Sequence, residues 1–167
     1  MDNFDAHKWF KKEYLGEGHT EDKTERDQFI RRYDQLSNDD KLRTGYGRKI
    51  YGVEYLGEIH AVMCFAYTNI IPKSVDELEK LSTDAFLQSA MRDQSGGQIA
   101  IAYTVWSKKK GGGKLIVKEV FKKIKKSNHL NRLVTLSPLT DMATKFHTRN
   151  GAKLIQINEK TQNFEYK

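Results

Sequence analysis

Apolar positions recur along this chain with two periods, one near 3.6 and one near 2. Ala6, Trp9 and Phe10 mark a short helix over Asp5 to Leu15, and Phe29, Ile30, Tyr33 and Leu36 mark a second over Thr24 to Leu36, ended by Ser37-Asn38-Asp39-Asp40. Lys49 to Tyr55 and Glu58 to Thr68 read as two strands joined at Leu56-Gly57. Ser74-Val75-Asp76-Glu77 has capping-box spacing and opens helical sequence that runs to Met91 with a break near Ser82. Ser95-Gly96-Gly97 then turns into Ile99 to Trp106, a β-branched and aromatic run that reads as a buried strand. Val117, Val120, Phe121 and Ile124, at i, i+3, i+4 and i+7, form the stripe of an amphipathic helix. Arg132 to Leu136 predicts a strand, and Pro138 marks the start of a helix lined by Met142, Ala143 and Phe146 and capped by Gly151. Lys153 to Ile157 and Asn163 to Tyr166 close the chain as a hairpin.

This order of elements predicts an α/β fold around a mixed sheet. The 167 residues suit one domain, with no repeat, low-complexity tract or linker. Its parts are an N-terminal helical region (1–48), a hairpin and helical segment (49–95) and a C-terminal core (96–167).

Composition narrows the setting. The chain is 38% hydrophobic and 31% charged, with no apolar run long enough to span a bilayer and no signal-peptide pattern at its start. The single cysteine, Cys64, lies in the apolar segment AVMCFAY, which predicts a buried residue and no internal disulfide. A soluble, cytoplasmic protein is expected, with no membrane partner. No Cys/His spacing points to a metal. The net charge is +7, and nine lysines fall between Lys108 and Lys126. Lys118, Lys122, Lys125 and Lys126 lie off the apolar stripe, so the favoured reading is a solvated face attractive to polyanions, ahead of a dedicated nucleic-acid site.

The candidate chemistry lies at the start of that basic segment. Lys108-Lys109-Lys110-Gly111-Gly112-Gly113-Lys114 links the apolar strand to the amphipathic helix. A strand, a glycine turn and a helix N-terminus form an anion site, because first-turn N–H groups lack partners and the helix dipole favours negative charge. Lysines add full charges, so a phosphate or pyrophosphate is the expected ligand. The order of residues is neither a P-loop nor a dinucleotide fingerprint.

From Ile99 to Ile157 the chain resembles the cofactor-binding core of the GNAT acyltransferase superfamily. That family's turn, Gln/Arg-x-x-Gly-x-Gly/Ala, is matched by Lys108-Lys109-Lys110-Gly111-Gly112-Gly113 with lysine in first place. Its later pattern, Asn-x-x-Ala-x-x-Phe-Tyr-x-x-x-Gly-Phe, is matched at Ala143, Phe146 and Gly151. Thr140 stands where the family has Asn, Ala152 where it has the last aromatic, and His147 where it has Tyr. The size and lysine-rich style are similar to those of GNAT-like proteins of tailed phages. The resemblance implies a GNAT fold whose mixed sheet splays at the cofactor-binding strand. It implies that Tyr103, Thr104, Val105, Trp106, Phe146 and the turn from Lys108 to Lys114 bind acetyl-CoA or a related acyl-CoA, with transfer of the acyl group to an amine. His147 takes the place of the tyrosine that protonates the leaving thiolate, and it reads equally as an ordinary helix histidine. No carboxylate lies on Ile99 to Trp106. Glu54 and Glu58 read as a solvated hairpin end, and His60 as a hydrogen-bonded sheet residue.

A second, shorter resemblance lies in Thr135-Leu136-Ser137-Pro138-Leu139. It is similar to the Thr-Leu-Ser-Pro-Ile segment of GNAT-fold malonyl-CoA decarboxylases and implies that Thr135, Ser137 and His147 supply a hydroxyl and a histidine to a malonyl carboxylate. Ser137 otherwise reads as a helix N-cap. Three functions therefore stand at this point, in order: N-acyl transfer, malonyl-thioester decarboxylation, and a degenerate GNAT fold used for polyanion binding or assembly.

Overall fold

The computed structural model describes residues 28–33, 45–55, 58–89, 96–108 and 111–167. Among these described residues eight strands form one sheet: β1 Gln28–Tyr33, β2 Lys49–Tyr55, β3 Glu58–Thr68, β4 Ile99–Ser107, β5 Arg132–Thr135, β6 Ser137–Pro138, β7 Ala152–Ile157 and β8 Thr161–Tyr166. The helices are α1 Val75–Gln88, α2 Gly112–Lys125 and α3 Asp141–Arg149. The order across the sheet is β1-β2-β3-β4-β5-β8, with β6 following β5 along the same edge of β8 and β7 on the other edge. Every pairing is antiparallel except β4 with β5.

Two apolar layers cover the sheet. On one face Val53, Ala61, Met63, Phe65, Ala100 and Ala102 meet Ile116, Val117, Val120 and Ile124, the stripe of α2. On the other, Ala66, Ile99, Ile101 and Val134 pack with Leu78 of α1. Ser74 caps α1 by accepting from the Glu77 N–H at 3.1 Å. The helix runs unbroken through Ser82, correcting the expected break. Ser82 is buried and accepts from the Arg48 guanidinium at 2.8 and 3.1 Å, so its hydroxyl pins α1 to the entry of β2. Cys64 is buried in β3.

Three expectations give way. The segment expected as a helix over Thr24 to Leu36 contains strand β1, paired residue for residue with β2 from Gln28↔Tyr55 to Tyr33↔Ile50. A neighbouring strand edge supplied hydrogen bonds that outweigh a short helical pattern. Pro138 does not open a helix: Ser137 and Pro138 pair with Gln162 and Thr161, and α3 begins three residues later, capped by Thr140, which accepts from Ala143 N–H at 3.1 Å. Glu54 is buried in β2 rather than solvated, beside a register shift between Val53 and Glu54, whereas Glu58 is exposed as expected. The expected helix over Asp5 to Leu15, and the helical extension to Met91, lie outside the described residues.

The opening in the sheet has a defined cause. β4 and β5 pair from Ile99↔Arg132 to Ala102↔Thr135, and Leu136 N–H donates to Ala102 O at 2.9 Å. Beyond that point the register of β4 on β3 shifts by one residue at Tyr103, since Cys64 pairs with Thr104 and Phe65 with Ala102. This bulge keeps the rest of β4 on β3, while the chain after Leu136 follows β8. The two parallel strands part, and a wedge opens between them.

Candidate active site

A cavity of about 340 Å³ fills this wedge. β4 supplies Ala102, Tyr103, Val105 and Ser107, the β5–β6 segment supplies Leu136, Ser137 and Pro138, and α3 supplies Met142, Ala143, Phe146 and His147. Thr140 completes the wall, and among the described residues no Asp, Glu, Lys or Arg lines it. The bulge decides which side chains of β4 reach it. Val105 pairs with Met63 and so shares the α2 face with Ala102, whereas Thr104 pairs with Cys64 and Trp106 with Val62 on the opposite face. Of the four β4 residues expected to bind cofactor, Tyr103 and Val105 line the cavity and Thr104 and Trp106 do not.

The glycine turn sits at the end of this wedge. Gly111 has φ +87° and is the N-cap of α2, a conformation that favours glycine. A Cβ at Gly113 would lie 2.6 Å from Phe146 Cε1, so the absent side chain lets α2 press against α3. One at Gly112 would lie 2.8 Å from His60 O. These two glycines therefore serve close packing of protein on protein. The Gly113 N–H is also taken, donating to Ser107 Oγ at 3.1 Å, so an anion here would use the other amides of the turn. Lys108 and Lys114 are exposed on either side, and Lys108 N–H donates to His60 O. Lys109 and Lys110 lie outside the described residues.

His147 is 4% exposed, with Nδ1 2.6 Å from Tyr166 Oη and its ring between Phe146 and Phe164. Burial pulls its pKa down to about 4, so the ring is neutral at pH 7 and is no imidazolium acid. Burial also raises the Tyr166 phenol above its usual range. The phenol is the better acid and the imidazole nitrogen the better base. We therefore assign Tyr166 as donor to Nδ1, which leaves the ring proton on Nε2. Phe146 is half-buried against Gly113, but Met142, expected on the packed side of α3, is 82% exposed at the cavity wall.

Ser137 is buried, and its Oγ lies 2.8 Å from Thr135 Oγ1. Thr135 Oγ1 already accepts the Phe164 N–H at 3.0 Å. Either hydroxyl can donate in this contact, and Thr135 is fully buried behind the cavity wall, so a proton is left for a group in the cavity when Thr135 donates to Ser137 Oγ. Ser137 also lines a second cavity of about 280 Å³ on the α1 side, with Asp76, Lys160 and Thr161. The residue is not an N-cap but a thin partition between two cavities.

Sequence reasoning missed Tyr166 and the amides that hold this partition. Asn163 Nδ2 donates to Thr135 O at 2.8 Å, and Gln162 Nε2 to Pro138 O at 3.0 Å. Both residues lie on β8, and nothing near them in sequence marks the contact. Glu58 and His60 stand apart from the cavity, with Glu58 Oε2 4.0 Å from His60 Nε2.

No family model matches the chain, and no curated protein matches it. Solved structures do. The loading GNATL domain of CurA from Lyngbya majuscula aligns with 84% of this chain and 97% of its own length, at 11% identity and a TM-score of 0.59. The GphF GNAT-like decarboxylase in complex with isobutyryl-CoA aligns over 70% of this chain and 76% of that one, at 11% identity and a TM-score of 0.53. The Campylobacter jejuni N-acetyltransferase PseH in complex with acetyl coenzyme A aligns over 84% and 98%, at 14% identity and a TM-score of 0.52.

Proposed function

Starting from its GNAT fold, we propose that this chain binds an acyl-CoA in the wedge between β4 and β5 and decarboxylates a malonyl-type thioester there. One observation carries the reading. Ser137 and His147, ten positions apart, line the same cavity, and among the described residues its wall holds no carboxylate to serve as base toward an amine. Similar folds that hold acetyl coenzyme A and isobutyryl-CoA support acyl-CoA as the ligand class. The lysines and remaining amides of the Gly111 turn suit its pyrophosphate.

Decarboxylation needs little acid–base machinery. The bond to the carboxylate breaks, CO2 leaves, and the electron pair passes into the thioester carbonyl as an enolate, whose carbon then takes a proton drawn from solvent. Apolar walls at Ala102, Leu136 and Phe146 withhold water from the carboxylate, which favours the dispersed charge of the transition state. With Thr135 donating to Ser137 Oγ, the Ser137 hydroxyl proton holds the carboxylate. The Nε2–H of neutral His147 donates to the oxygen where charge develops.

Malonyl-CoA supplied without any amine should yield acetyl-CoA and CO2. Ser137→Ala should lower kcat by roughly 10²–10³-fold, as loss of one positioned donor does. Malonyl-CoA that binds but stays intact would overturn the decarboxylase reading. Transfer to an amine is the second reading, favoured by the cavity across Ser137, where Asp76 offers a carboxylate. Acetylation of amines, abolished in Asp76→Asn and retained in Ser137→Ala, would put that reading first.

A further inference from the structure

We propose that the outer face of α2 binds nucleic-acid backbone, independently of the acyl-CoA chemistry. Lys114, Lys118, Lys122 and Lys126 stand at i, i+4, i+8 and i+12, with Lys125 beside them. At 100° per residue all five fall within an arc of about 120°, and at 1.5 Å rise they extend about 18 Å along the axis. Each is exposed. Among the described residues one has an acidic partner: Lys122 Nζ lies 3.2 Å from Glu119 Oε2. The apolar stripe of α2 is buried against the sheet, so this outward arc is not needed for packing.

The chemistry of the arc selects among polyanions. A membrane-binding helix presents apolar residues beside its cations, and the exposed positions of α2 are all lysine. A protein interface favours aromatic and Arg anchors and is depleted in Lys, and the aromatic of this helix, Phe121, is half-buried beneath Lys125 at 5.2 Å. A bare rail of lysines, one per helical turn, matches the requirement of phosphate contact without base reading.

The test is binding of a 20-base-pair DNA duplex to the full chain across a salt series, read by fluorescence anisotropy. The expected log–log slope is about −3 to −4, equivalent to four or so phosphates. Lys118→Glu/Lys122→Glu/Lys126→Glu should weaken binding at 50 mM salt at least tenfold and flatten the slope. Acyl-CoA binding by the same variant should be unchanged, which shows that it is folded and separates this result from the enzymatic reading. Absence of duplex binding at 50 mM salt, or binding that the triple variant retains, would overturn the proposal. So would equal affinity for polyglutamate, since the arc would then read charge and not phosphate backbone.

Discussion

At the scale of single residues, the site is governed by burial. His147 has a folded pKa of about 4 against an ordinary value of 6.5, because the charged ring would lose its hydration. The sign follows directly. Above about pH 6.5 the ring is neutral folded or unfolded and titration adds nothing. As pH falls from 6.5 to 4, the unfolded chain takes a proton that the folded one refuses, and stability is lost, on the order of 3 kcal/mol if the full shift is realised. His147→Phe should flatten that part of the curve, measured by urea unfolding at pH 7, 5.5 and 4.5. Equal pH dependence in variant and parent would mean the ring is protonated in the folded state. Tyr166→Phe strands Nδ1 without its partner and should cost about 1–3 kcal/mol. It should also lower kcat more than it raises KM, since the proton on Nε2 is no longer fixed.

At the scale of elements, the decisive contact is α2 on α3. Phe146 occupies the space that a side chain at Gly113 would need. Gly113→Ala should therefore destabilise by about 1–3 kcal/mol through overpacking. Phe146→Leu added to it should recover part of the loss, because the residues share one space and their effects do not add. A double mutant as unstable as the sum of the singles would place the strain elsewhere. Thr140→Ala removes the cap of α3 and should cost about 1 kcal/mol. Much of this level was legible in the sequence. The capping box at Ser74, the glycine turn before α2, the hairpin strands β2 and β3, and Gly151 (φ +97°) after α3 are local signals, each complete within a few residues.

At the scale of the whole molecule, ligand binding and stability are linked. The wedge exists because two halves of the sheet follow different neighbours, so an acyl-CoA lodged in it bridges β4, the β5–β6 segment and α3. At 100 times its Kd, a ligand specific to the folded chain adds about 2.7 kcal/mol. For a chain of this size that corresponds to a rise in Tm of about 5–10 °C. Thermal melts with and without acetyl-CoA measure this, and an unchanged Tm at saturating concentration would remove acyl-CoA from consideration.

The sequence by itself determined the α/β class and the main strands and helices from β2 onward, the basic segment, the buried cysteine, and the glycine turn set between a strand and an amphipathic helix. These follow from periodicity and turn chemistry, which act between residues two to four apart. Tertiary structure alone decided the rest. Whether residues 28–33 became strand depended on the free edge of β2. Which side chains of β4 faced the cavity depended on a bulge at Tyr103 that follows no local rule and reverses simple alternation. Ser137 became a cavity wall instead of a cap because β8 holds it through Gln162 and, by way of Thr135, through Asn163 and Phe164. His147 became a neutral group because α3, β8 and its two aromatic neighbours close over it. Strand pairing, register and desolvation are set by partners distant in the chain, and they fixed the chemistry of the site.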